Sequence, residues 1–558
     1  MRPILAATTL AAFALTGCSD RENGGPGANE VGGTVVIAAP SAFTLSLPPL
    51  VQDAISRAVA DLVYDRLTEI GPELNTFGDA EFTPRLARRW TWADDSLSIS
   101  FELDPRARWH DGRPVRASDV RFSAELVKDR ATASPAATYF GNLDSVTVRD
   151  SLTAVAWFRE RALEQFYNVA YQLEIVPEHV LSSTPRDQLR AVDVERTFVG
   201  SGPFRMVRFE PGVRMEIVAD TTHYRGRPRL DRVIWSVSSD AGAGITQFMS
   251  GQADLWESLP AELLPQVDST PTVRAIPVPS LGYAYLAFNH RDPRRRGTPH
   301  PVLSDRQVRR ALSMALDREA MLRNVFGDVG VMSVGPYPKA LEDSGVTLLP
   351  FDRAAAAAML DSSGWRVGAG GIRFNAGRPL AFSILTPTSS SQRMRYAVLI
   401  QEQLRSIGAR VGIDAVDFRA FLDRQNGRNY DATLNLWTPD VGIGGIRETW
   451  TTSGMSSSGN NHMSYANPLV DALVDSALST MRPALARGYL HRAHQLIVDD
   501  APAVWLYDYA PLLGLHTRLR PEGMRPNGWW IGLPEWWIPE DERIDRDRVG
   551  LRPAPAQP

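Results

Sequence analysis

The sequence has a single cysteine, Cys18, among its 558 residues, so an intrachain disulfide bond is excluded. Lysine is almost as scarce, since only Lys128 and Lys339 occur among 60 basic residues. Neither lysine has the neighbours of a phosphate-binding Walker A motif, and the G-x-S-x-G and H-E-x-x-H motifs of hydrolases and metallopeptidases are missing as well. We therefore predict that the protein is not an enzyme and that it holds no cofactor or metal.

The nine histidines are scattered along the chain. His491 and His494 lie three residues apart on a predicted helix, with Asp499 and Asp500 nearby in sequence. A metal site is one interpretation of this group. We interpret both residues instead as exposed helix histidines.

An excess of charge of either sign is also missing, because 60 basic residues face 64 acidic ones and the formal net charge is −4. A nucleic-acid-binding surface is typically basic, so we predict no nucleic acid partner. The hydrophobic fraction of 44% and the charged fraction of 22% are those of an ordinary globular protein. The length exceeds what one hydrophobic core usually supports and therefore indicates two or more domains.

Beyond the N-terminus, no apolar run is long enough to cross a bilayer. The first residues contain Arg2 and an apolar run over 4–15, which has the length of a signal-peptide core. Leu15-Thr16-Gly17-Cys18 resembles a bacterial lipobox, in which the cysteine is lipidated. We predict that residues 1–17 are removed, that Cys18 carries the lipid, and that 18–33 form a flexible tether. A plain secretory signal with an incidental cysteine is the alternative.

Local patterns predict several elements. Leu97, Ile99, Phe101 and Leu103 alternate with polar residues, which is typical of a strand with one buried face. Ser118 is the expected N-cap of the next helix, and Ser304 with Gln307 fits a capping box. The segments 382–385, 392–407 and 411–415 read as strand, helix and strand, which predicts a parallel pair joined by a right-handed crossover.

Several segments resemble the dipeptide-, oligopeptide- and nickel-type extracellular solute-binding proteins of family 5, the receptors of ABC importers. The similar segments, in chain order, are PRLARRW (84–90), DDSLSISFEL (94–103), WHDGRPVRASDV (109–120), GSGPF (200–204), NHMSYANP (461–468) and APAVWLY (501–507). The resemblance extends over roughly 34–509.

The resemblance implies an α/β, two-lobed periplasmic-binding-protein fold of the large, type II-like variant with three subdomains. We expect the first lobe to comprise 34–289 and 505–545, with a mostly β insertion at about 66–197, and the second lobe to span 290–504. Crossings near Asn289 and Val504 would form a hinge, and 546–558 would be a disordered tail.

The resemblance also implies a function. It predicts a monomeric, periplasmic receptor that is lipid-anchored at Cys18, captures short peptides by lobe closure and delivers them to a membrane permease. The alternatives are binding of an oligosaccharide or a metal complex on the same fold, and a lipoprotein sensor that has no transporter.

Asp440 is the leading candidate for ligand contact, because it follows the predicted strand that ends at Trp437. In α/β sheets, ligands collect outside the carboxyl ends of the strands. The tetrad Trp437-Thr438-Pro439-Asp440 resembles the W-x-x-D of peptide-binding relatives, whose aspartate pairs with the ligand's α-ammonium. A loop aspartate that caps its neighbours is the alternative.

Other candidate contacts surround this residue. In the family that the sequence resembles, the loop after the first strand faces the cleft, which implicates Ala42 and Phe43. Arg393 and Arg447 are candidates for a ligand carboxylate, with solvated surface charges as the alternative.

Aromatic rings can stack on sugars, and the tryptophans considered for this role are Trp437, Trp450, Trp529, Trp530, Trp536 and Trp537; lobe packing is the alternative for the last four.

Overall fold

The computed structural model describes residues 30–39, 43, 45–51, 53–238, 240–295, 297–336, 345–456 and 459–548. Cys18 and Ala42 lie outside this part of the chain, as do the predicted signal peptide and most of the predicted tether and tail.

The described chain contains both strands and helices throughout. The strands are β1 (Thr34–Ala39), β2 (Thr68–Glu69), β3 (Thr83–Pro84), β4 (Ala87–Trp92), β5 (Ser98–Leu103), β6 (Leu143–Asp150), β7 (Thr153–Phe158), β8 (Phe204–Glu210), β9 (Arg214–Ala219), β10 (Arg232–Val237), β11 (Leu255–Trp256), β12 (Val273–Pro277), β13 (Tyr283–Phe288), β14 (Val331–Met332), β15 (Arg366–Val367), β16 (Arg373–Asn375), β17 (Arg378–Pro379), β18 (Ala381–Pro387), β19 (Arg410–Val416), β20 (Ala432–Trp437), β21 (Ala503–Asp508) and β22 (Leu512–His516). The α-helices are α1 (Ala54–Val63), α2 (Ala117–Lys128), α3 (Glu178–Leu181), α4 (Val194–Thr197), α5 (Ala241–Met249), α6 (Leu264–Asp268), α7 (Arg306–Met314), α8 (Arg318–Phe326), α9 (Arg353–Ser362), α10 (Ser391–Arg405), α11 (Phe418–Asn426), α12 (Gly444–Trp450), α13 (Pro468–Ser479) and α14 (Pro483–Asp500).

Two large mixed sheets define two lobes. The first lobe is built on a seven-stranded sheet of order β12-β22-β11-β1-β10-β9-β8. The second lobe is built on a six-stranded sheet of order β14-β21-β13-β20-β18-β19. The predicted insertion at 66–197 holds a four-stranded antiparallel sheet, β4-β5-β7-β6, which shares one hydrophobic core with the first lobe.

The chain crosses between the lobes twice, but not where the sequence predicted. Since β12 belongs to the first sheet and β13 to the second, the first crossing is 278–282, and the second lies at 509–511 between β21 and β22. The predicted boundaries near Asn289 and Val504 are therefore wrong. Asn289 is fully buried in the second lobe, where its amide donates to the Tyr430 carbonyl at 2.9 Å.

The central strand β13 shows why this boundary was misplaced. Every residue of β13 is buried, because alternate side chains enter two different hydrophobic clusters on the two faces of the sheet. Leu286 and Phe288 pack on one face, and Tyr283 and Tyr285 pack on the other. A strand that is apolar on both faces fits the middle of either sheet equally well, so its pattern does not reveal the lobe to which it belongs.

Helix starts differ slightly from the prediction. Helix α2 begins at Ala117, so Ser118 lies inside the helix and is not its N-cap. The helix start is stabilised instead by the Asp119 carboxylate, which accepts the backbone N–H of Arg116 at 2.8 Å. Helix α7 is capped by Asp305, one residue after Ser304, through the N–H of Gln307 at 2.8 Å. In both cases a carboxylate replaces the predicted hydroxyl, and a carboxylate also interacts favourably with the helix dipole. The parallel pair β18 and β19, joined through α10, confirms the predicted strand–helix–strand unit.

The described residues of the predicted tether and of the predicted tail are docked on the fold. Gly32 and Gly33 are buried, with φ of +126° and +108°. Glycine is the residue that adopts such angles without steric cost, so these glycines provide a docked turn rather than flexibility. At the other end, Asp547 is 8% exposed and accepts the N–H of Thr34 at 2.7 Å.

A buried ion cluster fastens this C-terminal segment to the first sheet. Arg518, with 3% of its side chain exposed, pairs with Asp254 at 2.8 Å and also with Asp547. Its Nη2 donates to the carbonyl of Thr34 at 3.0 Å, and Arg546 forms a second ion pair with Asp254. The cluster thus joins the first strand, the turn before β11, the segment after β22 and the end of the described chain.

His494 is 1% exposed, so its interpretation as an exposed helix histidine is wrong. Within the described ranges, the structure contains no group of histidine, cysteine and acidic side chains arranged to hold a metal ion. The same ranges contain no helix that is both long and apolar enough to span a bilayer.

Candidate ligand-binding site

Asp440 lies three residues beyond the end of β20, in the cleft between the lobes. The Tyr167 hydroxyl donates to Oδ1 at 2.9 Å, and the Gln172 amide donates to Oδ2 at 2.9 Å. Both donors belong to the insertion, so these hydrogen bonds connect the two lobes. The predicted alternative, a carboxylate that caps its own loop, is present as well, through the N–H of Gly442 at 3.4 Å and the N–H of Val441.

Asp440 is half-buried, and no basic side chain of the described residues forms an ion pair with it. In the described part of the chain, its contacts are neutral donors, and burial raises the pKa of its carboxyl above the usual value. Partial burial of a carboxylate without a cationic partner is unfavourable. The site therefore favours a ligand that brings a positive charge to Asp440.

Glu164 makes a second connection between the lobes. Its side chain lies in the insertion and is buried, with the residue 8% exposed. Oε1 accepts the Thr76 hydroxyl at 2.6 Å and the N–H of Ile443, just before α12, at 2.8 Å. Burial raises the pKa of Glu164 to about 7, so this carboxyl changes its charge near neutral pH.

The sequence-based search missed Tyr167, Gln172 and Glu164. Residues Tyr167–Tyr171 form one turn of π-helix, a rare conformation that is often found at functional sites. No motif marks the segment. The only available signal was Glu164 itself, an acidic residue beside the apolar and aromatic residues of 163–171.

Three cavities follow one another along the cleft. The central cavity, about 480 Å³, is lined by Asp440, Thr438 and Tyr171 among others. It shares Asp440, Thr438 and Tyr139 with a second cavity of about 620 Å³, which we call the acidic cavity. On its other side it shares Tyr509 and Pro511 with a third, the Arg393 cavity, of about 410 Å³.

The predicted site residues of the second lobe distribute over these cavities. Asp440, Trp437, Thr438 and Arg447 all line the acidic cavity. The Arg447 guanidinium is half exposed and pairs with Asp475 at 3.6 Å, so its charge is already matched. This position favours the alternative interpretation of Arg447 as a solvated surface charge, and its role toward a ligand carboxylate stays a prediction.

Arg393 lines the third cavity, near the start of α10. Its guanidinium lies 5.4 Å from the centre of the Phe421 ring, and burial lowers its pKa. Among the described residues, no acidic side chain forms an ion pair with it. The N-terminus of α10 adds the positive end of a helix dipole, so the surroundings of Arg393 suit an anion, although Glu262 and Asp508 also line this cavity.

The aromatic candidates have mixed positions. Phe43 packs on the first-lobe core, 6.2 Å from the Phe209 ring, and does not line these three cavities. Trp450 and Trp536 are buried in the hydrophobic cores. Trp529 and Trp530 line the central cavity, but Trp529 is buried in the first-lobe core and Trp530 packs against that core.

Comparison with known proteins identifies the family. The model of "Bacterial extracellular solute-binding proteins, family 5 Middle" matches residues 81–445. The oligopeptide-binding protein AppA of Bacillus subtilis (strain 168) is 24% identical over 551 residues, which cover 96% of this chain and 98% of the relative.

Solved structures agree on the fold. The B. subtilis AppA structure in complex with a nonapeptide superimposes with a TM-score of 0.73 at 23% identity, covering 91% of this chain and 99% of the other. NikZ from Campylobacter jejuni in complex with Ni(L-His) gives 0.74 at 21% identity, covering 90% and 99%. CtaP from Listeria monocytogenes gives 0.78 at 21% identity, covering 92% and 100%. The predicted periplasmic-binding-protein fold is confirmed, and the chain belongs to the bacterial extracellular solute-binding proteins of family 5, which are binding proteins rather than enzymes.

Proposed function

We propose that this protein is the receptor of an ABC importer and captures short peptides in the cleft between its lobes. The observation that carries the proposal is Asp440, a half-buried carboxylate at the carboxyl end of β20 that has no cationic partner among the described residues. A peptide α-ammonium supplies the missing charge and can donate hydrogen bonds to both oxygens.

The two ends of the cleft suit a zwitterionic ligand. With the ammonium at Asp440, the chain of a peptide runs through the central cavity toward Tyr509, where the Arg393 cavity begins. Arg393 and the N-terminus of α10 then receive the carboxylate. This polarity, ammonium at the second lobe's β20 and carboxylate at its α10, follows from the charges alone.

Lobe closure is the proposed motion. The crossings at 278–282 and 509–511 serve as the hinge, and the contacts of Asp440 and Glu164 with the opposite lobe mark the closed state. Because a ligand at Asp440 touches both lobes, it binds the closed form more tightly than the open form and shifts the population. A permease then recognises the loaded, closed monomer.

Relatives support this ligand class. Several are described as putative ABC transporter peptide-binding proteins of Brucella species, and a DppA structure from Helicobacter pylori contains the peptide STSA. The NikZ complex with Ni(L-His) shows the fold with a metal complex, and an oligosaccharide remains a further alternative.

The test is calorimetric titration of the unlipidated protein with tri- to pentapeptides, oligosaccharides and Ni(L-His). We expect micromolar or tighter binding of peptides and about a 100-fold loss, ~2.7 kcal/mol, when the peptide N-terminus is acetylated. Binding of sugars or the nickel complex alone would refute the peptide assignment.

A cognate permease is tested by stimulation of its ATPase activity by the loaded receptor; without stimulation, the transporter-independent sensor is the better description.

Arg393→Gln is expected to weaken binding of a free-acid peptide by about tenfold, ~1.4 kcal/mol, because it removes the proposed carboxylate partner. The C-terminal amide of the same peptide should bind wild type and variant equally. Arg405→Gln, at an exposed ion pair with Glu402 on the same helix, is the matched control. An equal loss for acid and amide would contradict the role of Arg393.

Lipid anchoring at Cys18 is also part of the proposal, supported by the resemblance of residues 15–18 to a lipobox. Cys18→Ser should move the protein from the detergent phase to the aqueous phase in a phase-partition assay. Mass spectrometry of the wild-type N-terminal peptide should find a diacylated Cys18. A wild-type protein that is cleaved elsewhere and remains in the aqueous phase would contradict anchoring.

A further inference from the structure

We propose that the acidic cavity binds a positively charged side chain of the ligand, so that the protein selects peptides whose first residue is basic. The inference rests on the proposed function, because the ammonium of the same residue occupies Asp440. Asp440, Thr438 and Tyr139 line both the central and the acidic cavity, so a side chain that leaves the first residue can enter the acidic cavity directly.

The charge of the lining favours a cation. The charged residues that line the cavity are Glu160, Glu164, Asp440, Glu448 and Asp475, against Arg161 and Arg447. Of the two arginines, Arg447 pairs with Asp475 at 3.6 Å, and the Arg161 Nε donates to the carbonyl of Asp95 at 2.7 Å. After the Arg447–Asp475 pair is set aside, four carboxylates remain against Arg161, namely Glu160, Glu164, Asp440 and Glu448. The ligand's ammonium neutralises only Asp440.

Glu164 is the independent observation that points to a ligand. It is more than nine-tenths buried, it lines the cavity, and its hydrogen-bond donors are the neutral Thr76 hydroxyl and the backbone N–H groups of Ile443 and Gly444. Within the described chain no basic side chain pairs with it. A carboxyl in this position is desolvated but unbalanced, and a guanidinium or ammonium in the cavity restores the balance.

The other walls suit the same ligand. Tyr139, Tyr167 and Trp437 line the cavity, and aromatic faces attract cations. At about 620 Å³ the cavity has room for the long aliphatic stem of arginine or lysine. The chemistry therefore specifies a flexible, cationic side chain rather than a small or acidic one.

Tripeptides that begin with arginine and with its neutral isostere citrulline test the inference. The wild type should bind Arg-Ala-Ala about thirtyfold more tightly than Cit-Ala-Ala, and Glu164→Gln should reduce this ratio to about threefold, because one buried carboxylate is lost. Glu125→Gln, at a half-exposed side chain on α2, should keep the wild-type ratio. Because the affinities of both tripeptides are measured on the same variant, a general effect of the substitution on lobe closure or stability cancels in their ratio.

Proton release supplies a readout that a structural role of Glu164 does not share. Because the pKa of Glu164 is raised to about 7, part of the carboxyl is protonated at neutral pH, and a bound cation favours its ionised form. Binding of Arg-Ala-Ala at pH 7 should therefore release protons, seen as a buffer-dependent enthalpy. Cit-Ala-Ala should release fewer, and Glu164→Gln should remove the difference.

The outcomes separate this inference from the proposed function. If neither tripeptide binds, the peptide assignment fails. If both bind equally and both lose affinity on N-acetylation, the peptide assignment stands and the basic-residue subsite is refuted. If Glu164→Gln does not fold, the wild-type ratio and proton release decide, and a ratio near one refutes the subsite.

Discussion

Replacing Arg518 with methionine is expected to lower the free energy of unfolding by about 3–5 kcal/mol. The substitution keeps much of the side-chain volume but leaves Asp547, whose side chain is fully buried, without a cation. Asp254 retains Arg546 but loses Arg518, its other cationic partner. Breaking a buried ion pair on one side is costly because the remaining charge cannot be hydrated.

The loss is measured by urea unfolding of the unlipidated protein, with hydrogen exchange to locate it. We expect faster exchange in β1 and β22, which the cluster joins, and little change in the second lobe. Arg323→Met is the control, because Arg323 forms an exposed ion pair with Glu319 and such pairs contribute about 0–1 kcal/mol. A midpoint equal to that of the control would contradict the stabilising role of the cluster.

The Arg518 cluster illustrates a limit of inference from sequence. Its members lie as far apart as Thr34 and Asp547, which are separated by 513 positions. Local periodicity identifies strands and helices, but it does not show which side chains that are distant in sequence come into contact. The same limit applies to the tail, because the sequence does not show that Asp547, in the predicted disordered segment, accepts a hydrogen bond from the first strand.

Local patterns were sufficient for much of the fold. The alternation over 97–103 predicted a strand, and β5 occupies 98–103. The parallel pair of β18 and β19 followed from the lengths and order of its elements. The lobe boundary failed at β13 for a physical reason, since a strand that is buried on both faces has no polar side to show which sheet contains it.

The sequence position of Asp440 marks it as a candidate, whereas its partners in the candidate site are visible only in the structure. Asp440 was recognisable because it follows a strand end, where ligands of α/β sheets collect. Its partner Tyr167 lies 273 positions away on the opposite lobe, so a rule about one strand cannot find it. The resemblance alone implicates Phe43, and this residue packs against the first-lobe core instead.

Asp440→Asn is expected to weaken binding of a peptide with a free N-terminus by about 100-fold, ~2.7 kcal/mol. Asparagine has nearly the same shape and can still accept a hydrogen bond from Tyr167, but it lacks the charge that pairs with the α-ammonium. Asp423→Asn, at an exposed position on α11 of the same lobe, is the matched control and should bind like wild type.

A double-mutant cycle between protein and ligand separates a direct charge pair from an indirect effect. Acetylation of the peptide removes the ammonium, and Asp440→Asn removes the carboxylate. If the two groups pair, each change alone costs about 100-fold and both together cost little more, because the second has no remaining partner. Additive losses would place the ammonium elsewhere, and the hydrogen bonds of Tyr167 and Gln172 would then make Asp440 a connector of the closed lobes rather than a ligand contact.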